Sequence, residues 1–428
     1  MTTRREFVGL VPGALGVAAM SGRGELNQPA VAPDPCTLPP PIRKLAPMTA
    51  GIAPITADER GGRLERARQL MAENRMDAIL LEPGTSLSYF TGVEWWLSER
   101  PFLMLVPARG TPTCICPAFE EARVRELLHL PAEVRVWEED ASPFELAAGT
   151  LQDLGMATGR LGVEGQVRFF VLDGVRAAAA RTDLLSAAPV TVGCRSIKST
   201  AELALMQRAS DLTIAAFRAA FATLRAGMTQ HELSANMVAA QARLGGSDPW
   251  ALVALGTASA FPHGTTRLQH LREGDIVLLD AGCSLEGYQS DITRTTAYGT
   301  PTSRQIEVWN LERRAQDAAF AAARLGATCE SVDAAARKVI TDAGFGPGYK
   351  LPGLPHRTGH GIGMDGHESP NFVHGNTTVL EAGMCFSDEP TIAIYGEFGV
   401  RLEDCLYLTS DGPRFFSAQS TAIDRPFG

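Results

Sequence analysis

Two segments in the C-terminal half of the chain each carry a pair of carboxylates on either side of a turn. In the first segment, Asp280 ends an apolar run and Asp291 follows a glycine-containing turn. In the second, Glu389 and Glu403 stand on either side of the turn at 395–399, which also contains glycine. Each pair therefore lies on adjacent strands of a predicted β-hairpin. Closely packed carboxylates repel one another unless cations hold them, so this pattern predicts a metal site built on strands.

A glycine-rich segment with three histidines lies between the two hairpins. His360 stands between Gly359 and Gly361, and glycine lets a backbone approach another group closely. Four carboxylates and one imidazole can serve as ligands for two divalent ions about 3.5 Å apart. This ligand set favours Mn²⁺, with Co²⁺, Fe²⁺ or Zn²⁺ as alternatives. Four histidines lie near the acidic pairs: His263, His356, His360 and His367.

The opposing interpretation is that these acids are solvated hairpin residues and that the histidines are structural. It accounts easily for one aspartate at the end of a strand. It accounts poorly for Asp280 after two leucines, for Asp291 close to threonines, and for Glu389 held by the following proline. We therefore expect a functional site.

Composition argues against two classes of partner. A net charge of −9 argues against nucleic acid. No run reaches the about 18 apolar residues that a membrane helix needs, so we expect no stable membrane span. With 428 residues, of which 45% are hydrophobic, the chain can form two or three domains with substantial cores.

The N-terminus has the features of an export signal. Arg4 and Arg5 precede a mildly apolar stretch at 8–20, a combination that is typical of a twin-arginine signal. The sequence thus predicts a periplasmic or otherwise exported protein. A cytoplasmic protein is the alternative if the two arginines occur there by chance. The following residues, up to 57, are rich in Pro, Gly and Ala, so residues 1–57 are predicted to form a signal and a linker.

The remainder of the chain divides into two predicted domains. Between residues 58 and 194, helix-like and strand-like segments alternate, which indicates an α/β domain. From 195 to 428, a pair of helices is twice followed by strands, which indicates an α+β domain and hints at an internal duplication. Thr200 is the expected N-cap of the first long helix, which the apolar spacing extends to Leu224.

The motifs of the second domain resemble those of the creatinase, aminopeptidase P and methionine aminopeptidase superfamily, and within it the Xaa-Pro peptidase branch of metallopeptidase family M24. The motifs are Pro262-His263-Gly264, Asp280-Ala281-Gly282, Asp291-Ile292-Thr293-Arg294-Thr295, His356-Arg357-Thr358-Gly359-His360-Gly361-Ile362-Gly363, Glu389-Pro390 and Arg401-Leu402-Glu403-Asp404. The resemblance covers about residues 58–428. It implies a creatinase-like N-terminal domain, a catalytic domain of the pita-bread fold, and a homodimer or a dimer of dimers.

The resemblance also implies roles for individual residues. The metal ligands would be Asp280, Asp291, His360, Glu389 and Glu403, with Asp291 and Glu403 bridging both ions. The catalytic residues would be His263, His367, Glu389, His356 and Arg401. Glu389 would pass a proton to the leaving proline nitrogen, and Arg401 would orient a ligand. The implied reaction is hydrolysis of the Xaa-Pro bond at the N-terminus of a peptide with proline in second position, by a metal-bridging hydroxide.

Two departures from the family pattern keep other activities open. Thr391-Ile392-Ala393 replaces the usual Gly-Ile-Tyr after Glu-Pro, and residues 256–259 replace an upstream Ser-Gly-Pro. An Xaa-Pro dipeptidase, or prolidase, is the first alternative, and it would need a group that binds the dipeptide carboxylate at the far end of the pocket. A creatinase-like hydrolase or lyase for a small-molecule C–N bond is the second. A non-catalytic peptide-binding module is the third, and the intact ligand set argues against it.

Overall fold

The computed structural model of the protein describes residues 38–428. The predicted twin-arginine signal and most of the predicted linker lie outside the described residues. Within residues 38–428, no helix combines the length and the apolar character that crossing a bilayer requires.

The N-terminal half contains one six-stranded sheet. Its elements are α1 (Pro40–Arg43), α2 (Ala57–Glu73), β1 (Ala78–Leu81), α3 (Thr85–Thr91), β2 (Leu103–Pro107), β3 (Thr113–Pro117), α4 (Glu121–Leu127), β4 (Glu133–Trp137), α5 (Pro143–Asp153), β5 (Arg160–Val163), α6 (Phe169–Ala178), β6 (Asp183–Ser186) and α7 (Ala188–Arg195). The strand order is β4-β3-β2-β1-β5-β6, and β1 runs antiparallel to β2 and parallel to β5.

Helices bury both faces of this sheet. Because side chains alternate along a strand, Ile79 of β1 packs with residues of α2 and α7, whereas Leu80 packs with residues of α5 and α6. Every residue of β1 and β2 is buried. A strand that is buried on both faces is a continuous apolar run, as these two strands are. The sheet and its helices confirm the predicted α/β fold of this half.

The C-terminal half combines two helix pairs with three sheets. Its elements are α8 (Thr200–Phe221), α9 (Gln230–Leu244), β7 (Ser247–Leu255), β8 (Ile276–Leu285), β9 (Tyr288–Gln289), β10 (Ile292–Ala297), α10 (Ser303–Ala322), α11 (Cys329–Asp342), β11 (Gly359–Gly361), β12 (Glu368–Phe372), β13 (Cys385–Asp388), β14 (Thr391–Ile394), β15 (Phe398–Arg401), β16 (Asp404–Thr409) and β17 (Gly412–Phe415). The sheets are β10-β8-β7 with β9 beside β8, then β12-β11-β13-β16-β17, and the hairpin β14-β15. This architecture confirms the predicted α+β fold.

The N-cap of the long helix α8 lies one residue earlier than the predicted Thr200. Ser199, not Thr200, is the N-cap: its hydroxyl accepts the Glu202 N–H at 3.2 Å, and Glu202 Oε2 accepts the Ser199 N–H at 2.8 Å. This reciprocal capping box needs a glutamate or glutamine three residues after the cap, which only Ser199 has. The helix ends at Phe221 rather than at Leu224.

A short segment at 196–199 joins the two halves, since α7 ends at Arg195 and α8 begins at Thr200. The predicted domain limits at 57/58 and 194/195 lie next to the start of α2 and the end of α7. They remain predictions.

Candidate metal centre

The first predicted hairpin is formed by β8 and β10. The strands run antiparallel with Thr293 opposite Asp280, and Asp291 lies immediately before β10. Both aspartates are buried. Gly282 is required between them, because a Cβ at this position would lie 2.0 Å from the Ser290 carbonyl oxygen. The close approach of the strands brings both carboxylates to the same place.

The second predicted hairpin is formed by β14 and β15. Glu389 lies just before β14, where Pro390 separates β13 from β14, because proline has no N–H to donate to a strand ladder. Glu403 lies just after β15. The two hairpins meet through Thr293, whose backbone N–H and carbonyl both bond to the backbone of Glu403 at 3.2 Å.

A buried ion pair fastens the two hairpins together. Arg294 of β10 is fully buried, and its Nη2 lies 2.6 Å from Oδ1 of Asp404 at the start of β16. Arg294 also donates to the carbonyl oxygens of Glu403 and Ala418, both at 2.9 Å. Since a buried guanidinium needs such partners, this arrangement holds Glu403 beside β10.

The five side chains predicted as metal ligands converge on one spot. Carboxylate oxygens of Asp280, Asp291 and Glu403 lie within 4.8 Å of one another, and so do single ligand atoms of His360, Glu389 and Glu403. His360 Nε2 lies 3.2 Å from Glu389 Oε1 and 3.7 Å from Asp291 Oδ2. The structure thus places all five of these residues in one cluster.

The environment of Asp280 indicates what the cluster can hold. Its Oδ2 accepts a hydrogen bond from Arg401, whereas its buried Oδ1 has no hydrogen-bond partner within the described residues. Arg401 is engaged elsewhere too, since it donates to Thr293 Oγ1 at 3.0 Å and to the Pro262 carbonyl at 2.9 Å. Carboxylate oxygens with an imidazole nitrogen are a donor set for divalent transition metals. The residues present therefore fit such ions.

Burial changes the protonation of these acids. It raises the pKa of Asp280, Asp291 and Glu403, and repulsion between the carboxylates raises those of Asp291 and Glu403 further. Burial also acts to raise the pKa of Glu389, but the hydrogen bond and charge of His360 lower it to about 2. An opposite charge nearby favours the ionised form of a carboxyl group. A bound cation would thus let all four acids ionise at neutral pH.

His367 lies against this cluster. Its ring centroid is 3.9 Å from that of His360, and one of its nitrogens lies within 4.8 Å of ligand atoms of His360 and Asp291. Its Nδ1 accepts a 3.1 Å hydrogen bond from Arg357 Nη2, because a guanidinium can only donate. His367 is exposed on one side, but desolvation of its ring against the cluster, followed by the charges of His360 and Arg357, lowers its pKa to about 4. The ring is therefore neutral at pH 7, with its proton on Nε2.

The two remaining predicted histidines occupy different environments. His356 Nδ1 donates to the Arg357 carbonyl at 2.7 Å, so its Nε2 accepts from the Thr391 hydroxyl at 3.0 Å. Burial lowers the pKa of His356, which keeps the ring neutral. His263 is exposed on the wall of the adjacent cavity. The cluster thus gathers His360 and His367, and both His356 and His263 line the cavity beside it.

One cavity of about 920 Å³ gives access to the cluster. Trp250 and Leu252 of β7 form an apolar part of its wall. Two arginines also line it. Arg401 donates a hydrogen bond to Asp280 of the cluster, whereas Arg357 makes no ion pair within residues 38–428. Asp248, with a φ of 46° at an irregularity of β7, adds a negative charge. The volume is in the range of small-ligand sites.

Several residues in or beside the cavity have no role predicted from the sequence, among them Arg357, Thr391 and Asp248. Arg357 stands inside the His-Arg-Thr-Gly-His motif, so its position was visible, but only the fold shows that it lines the cavity. Thr391 stands where the family pattern has glycine, and this difference was the sequence signal that could have pointed to its contact with His356. Nothing in the strand pattern indicates the irregularity that brings Asp248 to the wall.

Comparison with known proteins agrees with this geometry. Residues 204–410 match the model of metallopeptidase family M24, and residues 63–197 match the creatinase/prolidase N-terminal domain. The chain is 34% identical to the Xaa-Pro dipeptidase of Lactobacillus helveticus over 363 residues, which are 83% of this chain and 96% of that protein. It is also similar to the solved dipeptidase PepE of Mycobacterium ulcerans (TM-score 0.80, 31% identity, 86% of this chain and 98% of that one). A third similar structure is the X-Pro aminopeptidase of Thermotoga maritima (TM-score 0.69, 25% identity, 82% and 97%).

The matches span both halves and bear out the resemblance that the motifs carried. The chain belongs to metallopeptidase family M24, and it is a metal-dependent peptidase with a creatinase-like N-terminal domain and a catalytic domain of the pita-bread fold.

Proposed function

We propose that the protein is an Xaa-Pro dipeptidase that uses two divalent ions, with Mn²⁺ as the preferred metal. The observation that carries this proposal is the position of Arg357 on the wall of the cavity that holds the five ligand-type side chains. The relatives in Lactobacillus helveticus and Mycobacterium ulcerans, both named dipeptidases, support it. An aminopeptidase for longer peptides, the first expectation from the sequence, is the second candidate because the chain is also similar to the Thermotoga maritima enzyme.

The proposed ligands are oriented by neighbouring groups. The ions would be held by Asp280, Asp291, His360, Glu389 and Glu403, with Asp291 and Glu403 shared. His360 Nδ1 donates to the Gly361 carbonyl at 3.0 Å, which makes Nε2 the ligand atom. The Thr293 hydroxyl donates to Glu403 Oε2 at 2.6 Å, and Arg401 holds Asp280. When bound, such ions polarise the scissile carbonyl and lower the pKa of water towards neutrality.

Glu389 is the proposed proton carrier. Its Oε1 contacts His360 Nε2 and accepts a 3.2 Å hydrogen bond from the Ser387 hydroxyl. Oε2 is then the atom to take a proton from the attacking water and to pass it to the proline nitrogen. That nitrogen carries no hydrogen in the peptide, so it must gain one before it can leave.

The histidines divide into two proposed roles. His367 Nε2–H is a neutral donor for the substrate carbonyl oxygen, and His263 binds the substrate from the exposed side of the cavity. His356 acts as a positioning residue, because the Arg357 carbonyl and the Thr391 hydroxyl engage both of its nitrogens. This differs from the catalytic role that the resemblance implied for His356.

Arg357 is proposed to bind the free carboxylate of the dipeptide. Its guanidinium contacts His367, whose ring packs against His360, so it lies about one side chain from the metal site. In Xaa-Pro the carboxylate follows the scissile bond within one residue, a span of about 3.8 Å. A guanidinium binds a carboxylate through two parallel hydrogen bonds. A longer peptide has an amide at this position and would lose that pair.

The test compares Ala-Pro, Ala-Pro amide and Ala-Pro-Ala as substrates. Enzyme stripped with EDTA is assayed with and without added Mn²⁺, while bound metal is counted by mass spectrometry. We expect metal-dependent cleavage with two ions bound, and a kcat/KM for Ala-Pro at least about tenfold above that for the amide, as a charged hydrogen bond provides. Preference for Ala-Pro-Ala would establish the aminopeptidase. Metal-loaded enzyme that cleaves none of them would favour small-molecule C–N chemistry.

We also propose export through the twin-arginine route, on the basis of Arg4 and Arg5. Replacing both arginines with lysine should retain the protein in the cytoplasmic fraction of a host that has this route. If both the wild type and the lysine variant are found in the cytoplasmic fraction, the cytoplasmic alternative is supported.

We further propose that the protein is a homodimer, or a dimer of dimers, as its family resemblance implies. Light scattering of the full chain at micromolar concentration should give twice or four times the monomer mass. A monomer mass throughout would exclude this assembly.

A further inference from the structure

A short irregular segment between β11 and β12 carries His367. This segment, residues 364–367, is named here the histidine loop. It belongs to neither strand, since β11 ends at Gly361 and β12 begins at Glu368. Side-chain contacts must therefore help to set its position, and several of them come from the N-terminal half of the chain.

Arg195, the last residue of α7, makes the main contact. Its Nη2 lies 2.6 Å from Oδ2 of Asp365 in the histidine loop and 2.5 Å from Oε1 of Glu368. Only 11% of the Arg195 side chain is exposed. The hydroxyl of Thr85 in α3 donates to the other oxygen of Asp365, and Arg195 Nη1 lies 3.3 Å from the Ser86 hydroxyl. Two elements of the N-terminal half thus hold one aspartate of the loop.

Glu368 connects these contacts to the loop backbone. Its Oε1 accepts the backbone N–H groups of Met364 and Asp365, both at 3.1 Å. Its Oε2 accepts from Lys198 Nζ at 3.0 Å. The Glu368 side chain is only 5% exposed. A buried carboxylate with this many donors is held in one geometry, and removal of one cation would leave its charge poorly compensated.

We propose that Arg195 is a positioning residue for His367. It fixes Asp365 and Glu368 on either side of that histidine, and so it sets the His367 ring against His360 at the 3.9 Å centroid distance. The N-terminal half thereby contributes to the active site of its own chain without touching the substrate. The inference rests on the proposed substrate-binding role of His367.

A second cavity offers a way to test this role chemically. It has a volume of about 180 Å³ and borders Arg195, Asp365, His367 and Glu368. Truncation of Arg195 would enlarge this space beside the two carboxylates. Guanidinium ion added from solution could then occupy the place of the missing side chain and pair with them.

The experiment compares R195A, R195K and a matched control, R135A, by the kinetics of Ala-Pro cleavage. Arg135 also forms ion pairs in the N-terminal half, with Glu133 and Asp153, and lies outside the site. We expect R195A to lower kcat about 10- to 100-fold, as misplacement of a catalytic group by about 1 Å does. KM and bound metal should change little. Millimolar guanidinium, far below unfolding concentrations, should restore part of the activity of R195A.

A double-mutant cycle separates positioning from general destabilisation. If Arg195 acts through His367, R195A should have little further effect on kcat in an H367A background. Losses that multiply in the double variant, or a kcat of R195A equal to that of R135A, would overturn the proposal. R195K, which keeps a charge without the two-pronged geometry, should lie between the wild type and R195A.

Failure of the proposed function gives a different result. If wild-type enzyme prefers Ala-Pro-Ala, the same kinetic comparison is made with that substrate. If it cleaves no Xaa-Pro substrate, kinetics report on neither proposal. Hydrogen exchange of the metal-loaded protein tests the contact itself. Amides of residues 364–368 should exchange faster in R195A than in the wild type and in R135A. Unchanged exchange of these amides would overturn the inference whatever the substrate.

Discussion

The six-stranded sheet of the N-terminal half and the strands around the proposed metal site both bury apolar side chains, but the strands around the site bury charged side chains as well. β1 and β2 bury apolar residues on both faces. The strands β8, β10, β15 and β16 bury Asp280, Arg294, Arg401 and Asp404. Apolar burial stabilises a fold, whereas a buried charge that lacks a partner destabilises it. The strands β1 and β2 therefore depend on apolar packing, whereas the strands around the proposed metal site depend on apolar packing and also on pairing of charges.

The buried acids of the C-terminal half differ in what compensates them. Asp404 pairs with Arg294, and Glu368 pairs with Arg195 and Lys198, so the chain supplies their cations. Asp291 and Glu403 instead face one another, and their nearest basic groups, His360 at 3.7 Å and Arg401 at 3.9 Å, lie closer to other acids of the cluster. In a metal site, a bound ion compensates the negative charge of the buried carboxylates, whereas in a structural ion pair a basic side chain of the protein does so.

The largest expected effect follows from replacing Asp291 with asparagine. Activity should fall to background, since partners that merely orient a metal ligand already cost about 10- to 100-fold and Asp291 is a proposed ligand. In EDTA, however, the variant should be at least as stable as the wild type, because one source of carboxylate repulsion is gone. Activity is measured by steady-state kinetics, bound metal by mass spectrometry, and stability by urea unfolding with and without Mn²⁺.

The matched control for Asp291 is D411N, which alters an exposed aspartate in the turn between β16 and β17. Its activity and metal content should equal those of the wild type. Full activity of D291N, or two metals still bound to it, would contradict the proposed ligand set.

A cavity in the N-terminal sheet should lower stability without lowering activity, which is the reverse of the effects expected for D291N. Leu80 of β1 is fully buried against helices α5 and α6. L80A should lower the free energy of unfolding by about 2–5 kcal/mol, as large-to-small substitutions in cores do. The loss should be the same with and without metal, and kcat per folded molecule should be unchanged. If added Mn²⁺ restored the free energy of unfolding that L80A loses, the core of the N-terminal half would depend on the metal site, contrary to this prediction.

Arg357 tests a third kind of charge, whose proposed partner is the substrate. R357Q should raise KM for Ala-Pro about 10- to 100-fold, the loss expected for a hydrogen bond to a charged group. Cleavage of Ala-Pro amide, which lacks the carboxylate, should change much less. Steady-state kinetics on both substrates makes the comparison. Equal losses on the two would indicate that Arg357 acts only by orienting His367, with which it bonds.

Local sequence patterns were enough to predict that the five ligand-type side chains cluster, but not which residues surround them. Asp280 and Asp291 follow from one hairpin, and His360 from a glycine-flanked motif, so neighbours in sequence carried the signal. The Ser199–Glu202 capping box was an equally local pattern, but the predicted N-cap, Thr200, was one residue too late. The contact of Arg195 with Asp365 joins residues 170 positions apart. Each of the two is an ordinary charged residue in its own segment, so no short pattern could pair them.

The smallest expected effect concerns Glu312, a fully buried acid of α10 that is not a proposed ligand. Burial raises its pKa well above the usual 4.5, and attraction from the Leu402 amide and Arg401 opposes this only in part. The folded state thus binds this proton more tightly than the unfolded state, so this group's contribution to stability falls as pH rises above 4.5.

E312Q keeps the shape of the side chain without its charge. At pH 8 the variant should be more stable than the wild type by about 1–2 kcal/mol, and near pH 4 the two should be equal. Urea unfolding across this range in EDTA measures the difference, in which the titrations of the other acids cancel. E307Q, in the same helix but largely exposed, should show no such trend. A difference for E312Q that stays constant with pH would mean that Glu312 is ionised in the folded protein, and that the C-terminal half compensates this buried acid as fully as it compensates Asp404.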